Sequence, residues 1–317
     1  KEVTSGTAVA ATKQLAGTLG FELADEWDRP EHTLGLQSSF YKGVATKVYT
    51  EVGLKYSGIA YFEQLLWWLS MGILGDVAGV QQGATAAYLW TYSPTLTAGD
   101  DPDTYTIEYG DEQQAWETDY CMARSITLAG ATKEPWKIDV DIVGRQLTET
   151  TFTAALVLPT GLEAPSFPKT TFSVDTTWAG LGGTAKAATL VSVSLSIPGY
   201  KALSMADGAD YFSIYGIQGR HITGKFTLVY NVTGDAEFDA YRARTARFIR
   251  LRCLGTLIAG SYYKWLNIDM CIEYTKFTVL GEWEGQTVAE AEFVSVYDPT
   301  GAKEFEISVQ NALATIP

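Results

Sequence analysis

"WKIDVDIVG", residues 136–144, decides how the chain is read. Ile138, Val140 and Ile142 alternate with Asp139, Asp141 and Val143, and a strand sends successive side chains to opposite faces. One face is an apolar stripe suited to a core. The other carries two carboxylates on neighbouring same-face positions, with no basic residue between them, and such like charges repel. A strand of this kind belongs to a sheet that buries one side and presents an acidic surface on the other.

The alternation recurs on both sides of this stretch. "ATKVYTEVGLKYSG" (45–58) sets Val48, Thr50, Val52, Leu54 and Tyr56 against Tyr49, Glu51 and Lys55. "TYTIEYG" (104–110) and "ARSITLAG" (123–130) are further strands, and "TFTAALVLPTGLEAPSFP" (151–168) reads as a strand followed by a proline-rich connection. Later strands are "TFSVDTTW" (171–178), "TLVSVSLSIPG" (189–199), "KFTLVYNVTG" (225–234), "FIRLRCLGT" (248–256), "YKWLNIDMCIEYTKF" (263–277), "TVAEAEFVSVYDPTG" (287–301) and "KEFEISVQN" (303–311). In 263–277, Leu266, Ile268, Met270, Ile272 and Tyr274 alternate with Asn267, Asp269, Cys271 and Glu273.

Two segments switch to helical period. In "IAYFEQLLWWLSMG" (59–72), Phe62, Leu65, Leu66 and Leu69 form a stripe that Trp67 and Trp68 widen, so this helix is buried or sits in an interface. "DAEFDAYRARTARF" (235–248) is the second, with Asp235 as N-cap. Residues 1–40 are weakly patterned and read as an N-terminal arm or loop. A boundary at 168 separates a first unit, 41–168, from a second, 169–317. Each unit reads strand, glycine, short helix, then a run of antiparallel-type strands. Gly58 aligns with Gly234 and Phe62 with Phe238 at one offset, which suggests an internal duplication.

The 317 residues are 46% hydrophobic, 13% aromatic and only 19% charged, the composition of a β-rich protein with large cores. The net charge of −14 argues against tight nucleic-acid binding, which rests on lysine and arginine contacts to phosphate; weak, non-adhesive contact with DNA stays open. Cys121, Cys253 and Cys271 are few, odd in number and without metal spacing. No apolar signal core occupies the first twenty residues, and the apolar stretch 58–74 is too short and polar to span a bilayer. The expectation is a soluble chain made in the cytoplasm.

Enzyme signals are poor. His32 and His221 lack partners at metal-ligand or triad spacing, and no nucleophile elbow, zinc-protease helix or phosphate loop is present. "DDPD" (100–103) lacks the alternate spacing of a calcium loop and reads as a solvated turn. The aromatic groups Trp67/Trp68, Tyr262/Tyr263/Trp265 and Trp90/Tyr92 read as core or interface, with sugar stacking as the functional alternative. What remains is charge arranged on sheet faces. Asp139 and Asp141, Asp269 and Glu273, Glu290 and Glu292, and Glu304 and Glu306 are candidate acidic stripes around a common space. Arg242, Arg244, Arg247, Arg250 and Arg252 form a separate basic cluster suited to pairing with another copy.

The order of elements resembles that of the tail tube (major tail) proteins of long-tailed, non-contractile bacteriophages. The resemblance spans roughly residues 40–317. It rests on "YFEQLLWWLSMGI" (61–73), "TYTIEYGDEQQAWETDYCMARSITLAG" (104–130), "FDAYRARTARFIRLRCLGTLI" (238–258), "LNIDMCIEYTKF" (266–277) and "EFVSVYDPTGAKEFEISVQNALATIP" (292–317). It implies a mainly β fold, a β-sandwich or split barrel with short flanking helices. Subunits would join strands edge to edge into a ring with an inner β-barrel, and rings would stack into a tube carrying double-stranded DNA into the host.

The same resemblance implies a virion-tail location and no enzymatic activity or cofactor. It implies partners in other copies of the chain and in tape measure and tail terminator proteins. An acidic lumen would let DNA pass without sticking, and Asp139, Asp141, Glu290 and Glu292 are the candidate lumen residues. If the duplication holds, three chains give a ring of pseudo-sixfold symmetry; otherwise six are expected. The competing readings are a phage decoration or baseplate-hub protein, a carbohydrate-binding adhesin using Trp90 and Tyr92, and a hydrolase with a carboxylate pair.

Overall fold

The computed structural model describes residues 1–28, 31–33, 40–42, 46–95, 99–156, 159–217 and 219–316. In chain order its elements are β1 (Thr18–Asp28), β2 (Glu31–Thr33), β3 (Phe40–Lys42), β4 (Thr46–Ile59), α1 (Leu65–Gly72), β5 (Val80–Gln81), β6 (Tyr88–Tyr92), β7 (Tyr105–Gly110), β8 (Ala115–Ala131), β9 (Lys137–Gly144), β10 (Leu147–Thr150), β11 (Thr170–Asp175), β12 (Leu190–Pro198), β13 (Tyr200–Leu203), β14 (Ile214–Ile217), β15 (Thr223–Val229), α2 (Val232–Ala243), β16 (Arg247–Ala259), β17 (Tyr262–Trp283), β18 (Gln286–Ser295) and β19 (Phe305–Asn311).

The chain is mainly β, as expected. Most of its strands join one large antiparallel sheet that stays open rather than closing into a barrel. The deciding stretch, β9, behaves as its alternation dictates: Ile138, Val140 and Ile142 are buried, Asp139 is exposed and Asp141 partly so. Eight strands lie side by side in the order β1-β4-β9-β8-β12-β15-β18-β17.

This row consists of two runs of four with the same internal order. In the first run Lys55 of β4 stands opposite Asp141 of β9, and Ser57 opposite Asp139. In the second, Lys225 of β15 stands opposite Glu292 of β18, and Thr227 opposite Glu290. The long strand of each run bulges at the matching place, between Ala123 and Ser125 in β8 and between Tyr274 and Lys276 in β17. A hairpin interrupts each run after its first strand, β2-β3 in one and β13-β14 in the other. Helix α1 follows β4 and packs on β8; α2 follows β15 and packs on β17.

β8 and β17 are long because each serves two sheets. The first part of β8 pairs with β7 and β10, and its second part with β9 and β12. The first part of β17 pairs with β16 and β19, and its second part with β18. β11 is added beside β16, and β6 and β5 extend the row beyond β19. The apolar faces of these layers and all of α1 meet in one continuous core. Trp68 of α1 lies tilted 4.3 Å from Tyr56 of β4, and Phe172 of β11 lies 5.7 Å from Phe226 of β15, which itself stacks on Phe293 of β18. Each such aromatic, removed from water, contributes on the order of 2–3 kcal/mol.

Several expectations change in detail. The arm placed over 1–40 contains a real strand, β1, paired with β4 along eleven residues, because Leu19, Phe21 and Leu23 alternate with Gly20, Glu22 and Ala24; the rest of that arm lies partly outside the described residues. Residues 151–156 are irregular rather than a strand, and 157–158 lie outside the described residues. The second helix begins at Val232, capped by the Asn231 side chain, which accepts from the amides of Thr233 and Gly234, so Asp235 falls inside the first turn. Gly58 does not match Gly234: the registers match Ser57 with Thr227, leaving Gly58 in β4 and Gly234 in α2.

Candidate functional site: a polar sheet face between two open edges

The four acids read from alternation share one face of the eight-stranded row. Asp139 and Asp141 on β9 occupy the same places in the first run as Glu290 and Glu292 on β18 in the second. Around them the face is small and polar: Thr18, Ser57, Ser125, Thr127, Ser192, Ser194, Ser196, Thr227 and Thr278 occupy the cross-strand positions. Hydroxyls and carboxylates here replace the apolar side chains that fill the other face.

The two acid pairs differ in their surroundings. Lys225 reaches Glu290 at 2.7 Å and Lys276 reaches Glu292 at 3.2 Å, all four side chains being exposed. Such surface pairs contribute about 0–1 kcal/mol each. Among the described residues no cation lies within salt-bridge distance of Asp139 or Asp141, although Lys55 and Lys137 belong to the neighbouring positions. The face is therefore a mixed surface with its uncompensated negative charge on the first run.

The other candidate acids do not share this space. Asp269 is buried on β17 and forms a two-pronged ion pair with Arg250, both contacts at 2.7 Å, and its carboxylate pushes the Arg250 guanidinium pKa upward. Glu304 accepts from Ser295 and meets Nδ1 of His221 at 2.7 Å, and Glu306 pairs with Lys303. Glu273 lies at the end of α2, beside Tyr241, Arg242 and Arg244.

The five arginines divide likewise. Arg247 holds the buried carboxylate of Glu237 through two 2.9 Å contacts, and Arg250 holds Asp269, so both are committed within the chain. Arg252 lies 5.2 Å over the Trp265 ring. Arg242, 6.0 Å over the Phe238 ring, and Arg244 are exposed at the end of α2, and with the exposed Arg252 they remain open to another molecule. Of the helical residues singled out, Phe62, Leu65, Leu66, Trp67 and Trp68 are all buried in the core.

Trp90 and Tyr92 are fully buried, which removes the aromatic platform the adhesin reading needed. Asp100 and Asp103, read as a solvated turn, are buried: Asp100 meets Arg220 at 3.3 Å and Asp103 meets Lys1 at 2.7 Å. The three cysteines are free and buried, and burial pushes the thiols of Cys253 and Cys271 up to about 11 and about 12. No group of side chains among the described residues could hold a metal ion, and no described helix is long and apolar enough to cross a membrane.

The row of eight strands ends in two unpaired edges. β1 is bonded only to β4, and residues 273–283 of β17 are bonded only to β18 among the described residues. Sequence alternation found the acids but not the edges, because strand order is set by long-range pairing. The chain matches no known protein-family model and no curated protein sequence.

Proposed function

We propose that this chain is a structural subunit whose sheet continues from copy to copy to form the wall of a tube, as in the phage tail tube proteins it resembles. The reading places it in a virion tail, made in the host cytoplasm, as a passive conduit for double-stranded DNA without catalysis. The observation that carries it is the eight-stranded row itself, with one face in the core, the other polar, and, among the described residues, no further strand beside β1 or residues 273–283 of β17. Head-to-tail contacts between identical copies close into rings or run on into filaments, and closure is a direct way for a sheet to lose its edges.

The two matched runs support an internal duplication, and with it a ring of three chains. Strands about 4.8 Å apart and tilted about 40° give a closed sheet of three chains roughly 48 Å across between backbones, and one of six chains roughly 96 Å. The smaller tube leaves room for one duplex with its hydration; the larger would leave most of the lumen empty. The polar face then lines the channel, where Glu290 and Glu292 hold Lys225 and Lys276 and Asp139 and Asp141 repel phosphate. Family resemblance adds tape measure and tail terminator proteins as partners.

Negative-stain electron microscopy of the purified chain over a range of concentrations tests this. Hollow rings or stacked tubes are expected. Compact monomers at every concentration would overturn self-assembly as its role.

A further inference from the structure

We infer that the free edge of β17 in one copy pairs antiparallel with β1 of a second copy, in a register already present inside the chain at the β8–β12 junction. This deepens the tube reading and rests on it for the number of copies in a ring. The argument starts from the junction between the two runs. There β8, the last strand of the first run, pairs with β12, the first strand of the second: Ile126 stands opposite Ile197, Thr127 opposite Ser196 and Leu128 opposite Leu195.

The cross-strand registers carry these positions onto the open ends. Asp141 and Glu292 match, as do Ser125 and Lys276 beside them, so Ile126 and Thr127 correspond to Phe277 and Thr278, beyond which β17 bulges. Lys55 and Lys225 match, facing Gly20 and Ser194, so Leu195, Ser196 and Ile197 correspond to Phe21, Glu22 and Leu23. The junction therefore predicts Glu22 opposite Thr278 and Leu23 opposite Phe277 across two chains.

Burial tells the same story. Inside the chain Ile126 and Leu195 are 0% exposed and Ile197 is 1% exposed. Their counterparts carry the same apolar character without the cover: Phe21 is 43% and Leu23 44% exposed, and Phe277 is only partly buried. An alternating strand that leaves its apolar side half in water, at positions buried wherever a next run exists, fits a second copy of this chain. An exposed apolar edge of this kind pairs readily.

The ground beside the edge fits as well. In the first run the chain following β12 closes the end of α1, where Tyr200 Oη and Arg220 both donate to the Ile73 carbonyl. At the end of α2 the corresponding ground, lined by Tyr241, Arg242, Arg244 and Glu273, is an open depression.

Two single variants, Glu22→Cys and Thr278→Cys, test the pairing when mixed in equal amounts at high concentration under mild oxidation. Opposed residues in antiparallel strands have Cα atoms about 4.5–5.5 Å apart, within disulfide reach. The native thiols are buried and held protonated. A disulfide-linked dimer is expected at least tenfold above the off-register mixture of Asp28→Cys with Thr278→Cys, and Ala24→Cys with Lys276→Cys should reproduce it. No excess over the off-register mixture for either pair overturns the inference. Micrographs of the unmodified chain separate the two claims: tubes without the cross-link refute this pairing alone, and cross-links without tubes refute the tube reading alone.

Discussion

The junction between β8 and β12 and the two ends of the row, β1 and β17, are built from the same parts and differ in what covers them. At the junction, aliphatic side chains from both strands disappear into the core. At the ends, side chains of the same kind stand half in water. A monomer thus contains its own example of the contact its ends lack, and stability and assembly become separable properties of matched positions.

The sharpest way to break this comparison is to truncate matched residues. Leu195→Ala, at the junction, should destabilise the isolated chain by about 2–4 kcal/mol through the lost methyl groups and the cavity left. Phe21→Ala, at the end, removes a side chain already 43% exposed together with its ring contacts to Tyr109 and Trp116, about 1–2 kcal/mol, yet should raise the concentration needed for assembly about tenfold or more. Urea unfolding and sedimentation velocity on both variants check this; equal effects of the two on monomer stability would erase the distinction.

A second test asks which arginines work inside the chain. Arg250→Ala leaves Asp269 buried and unpaired and should cost about 3 kcal/mol in denaturant unfolding. Arg242→Ala, at the open end, should stay within about 0.5 kcal/mol while weakening assembly.

The polar face, proposed to line the channel, gives a smaller, kinetic effect. Asp139→Lys with Asp141→Lys introduces cations where no native ion pair neutralises the acids. Tubes should still form, while DNA release slows in a single-particle ejection assay. The reversal Glu290→Lys with Glu292→Lys should act less specifically, because it also strands Lys225 and Lys276.

The smallest expected effect concerns pH. Burial first, then the charges of Glu108, Asp119 and Glu2, raise the Glu117 carboxyl above its usual range. A raised acid binds its proton more tightly in the folded state, so it destabilises the fold above its folded pKa and ceases to do so once pH falls below its unfolded value. Glu117→Gln should therefore raise Tm by about 1 °C at neutral pH, with no gain in mild acid.

Much of this was legible in the chain wherever one strand face is buried and the other wet. β9, β12 and β18 show it: alternation at Ile138, Val193 and Phe293 places the core, and the intervening residues place the polar face. The signal weakens where both faces are covered. Residues 118–123 of β8 and 266–272 of β17 are buried on both sides as each strand passes between two sheets, so Asn267 and Asp269, which read as an outer face, are inside. It weakens again at an open edge: β1 alternates plainly at Leu19, Phe21 and Leu23, but charged and small residues between and after them gave it the look of an arm. The arginines illustrate a third limit, because composition cannot show that Arg247 and Arg250 are already held by Glu237 and Asp269.

The most direct measurement is amide hydrogen exchange, followed from dilute monomer to assembled protein. Sheet continuation predicts that amides of β1 facing away from β4, and those of residues 275–283 facing away from β18, exchange rapidly in the monomer. On assembly both sets should become protected together, while amides at the β8–β12 junction stay slow throughout. Assembly that leaves β1 and the end of β17 exchanging as fast as in the monomer would contradict the account.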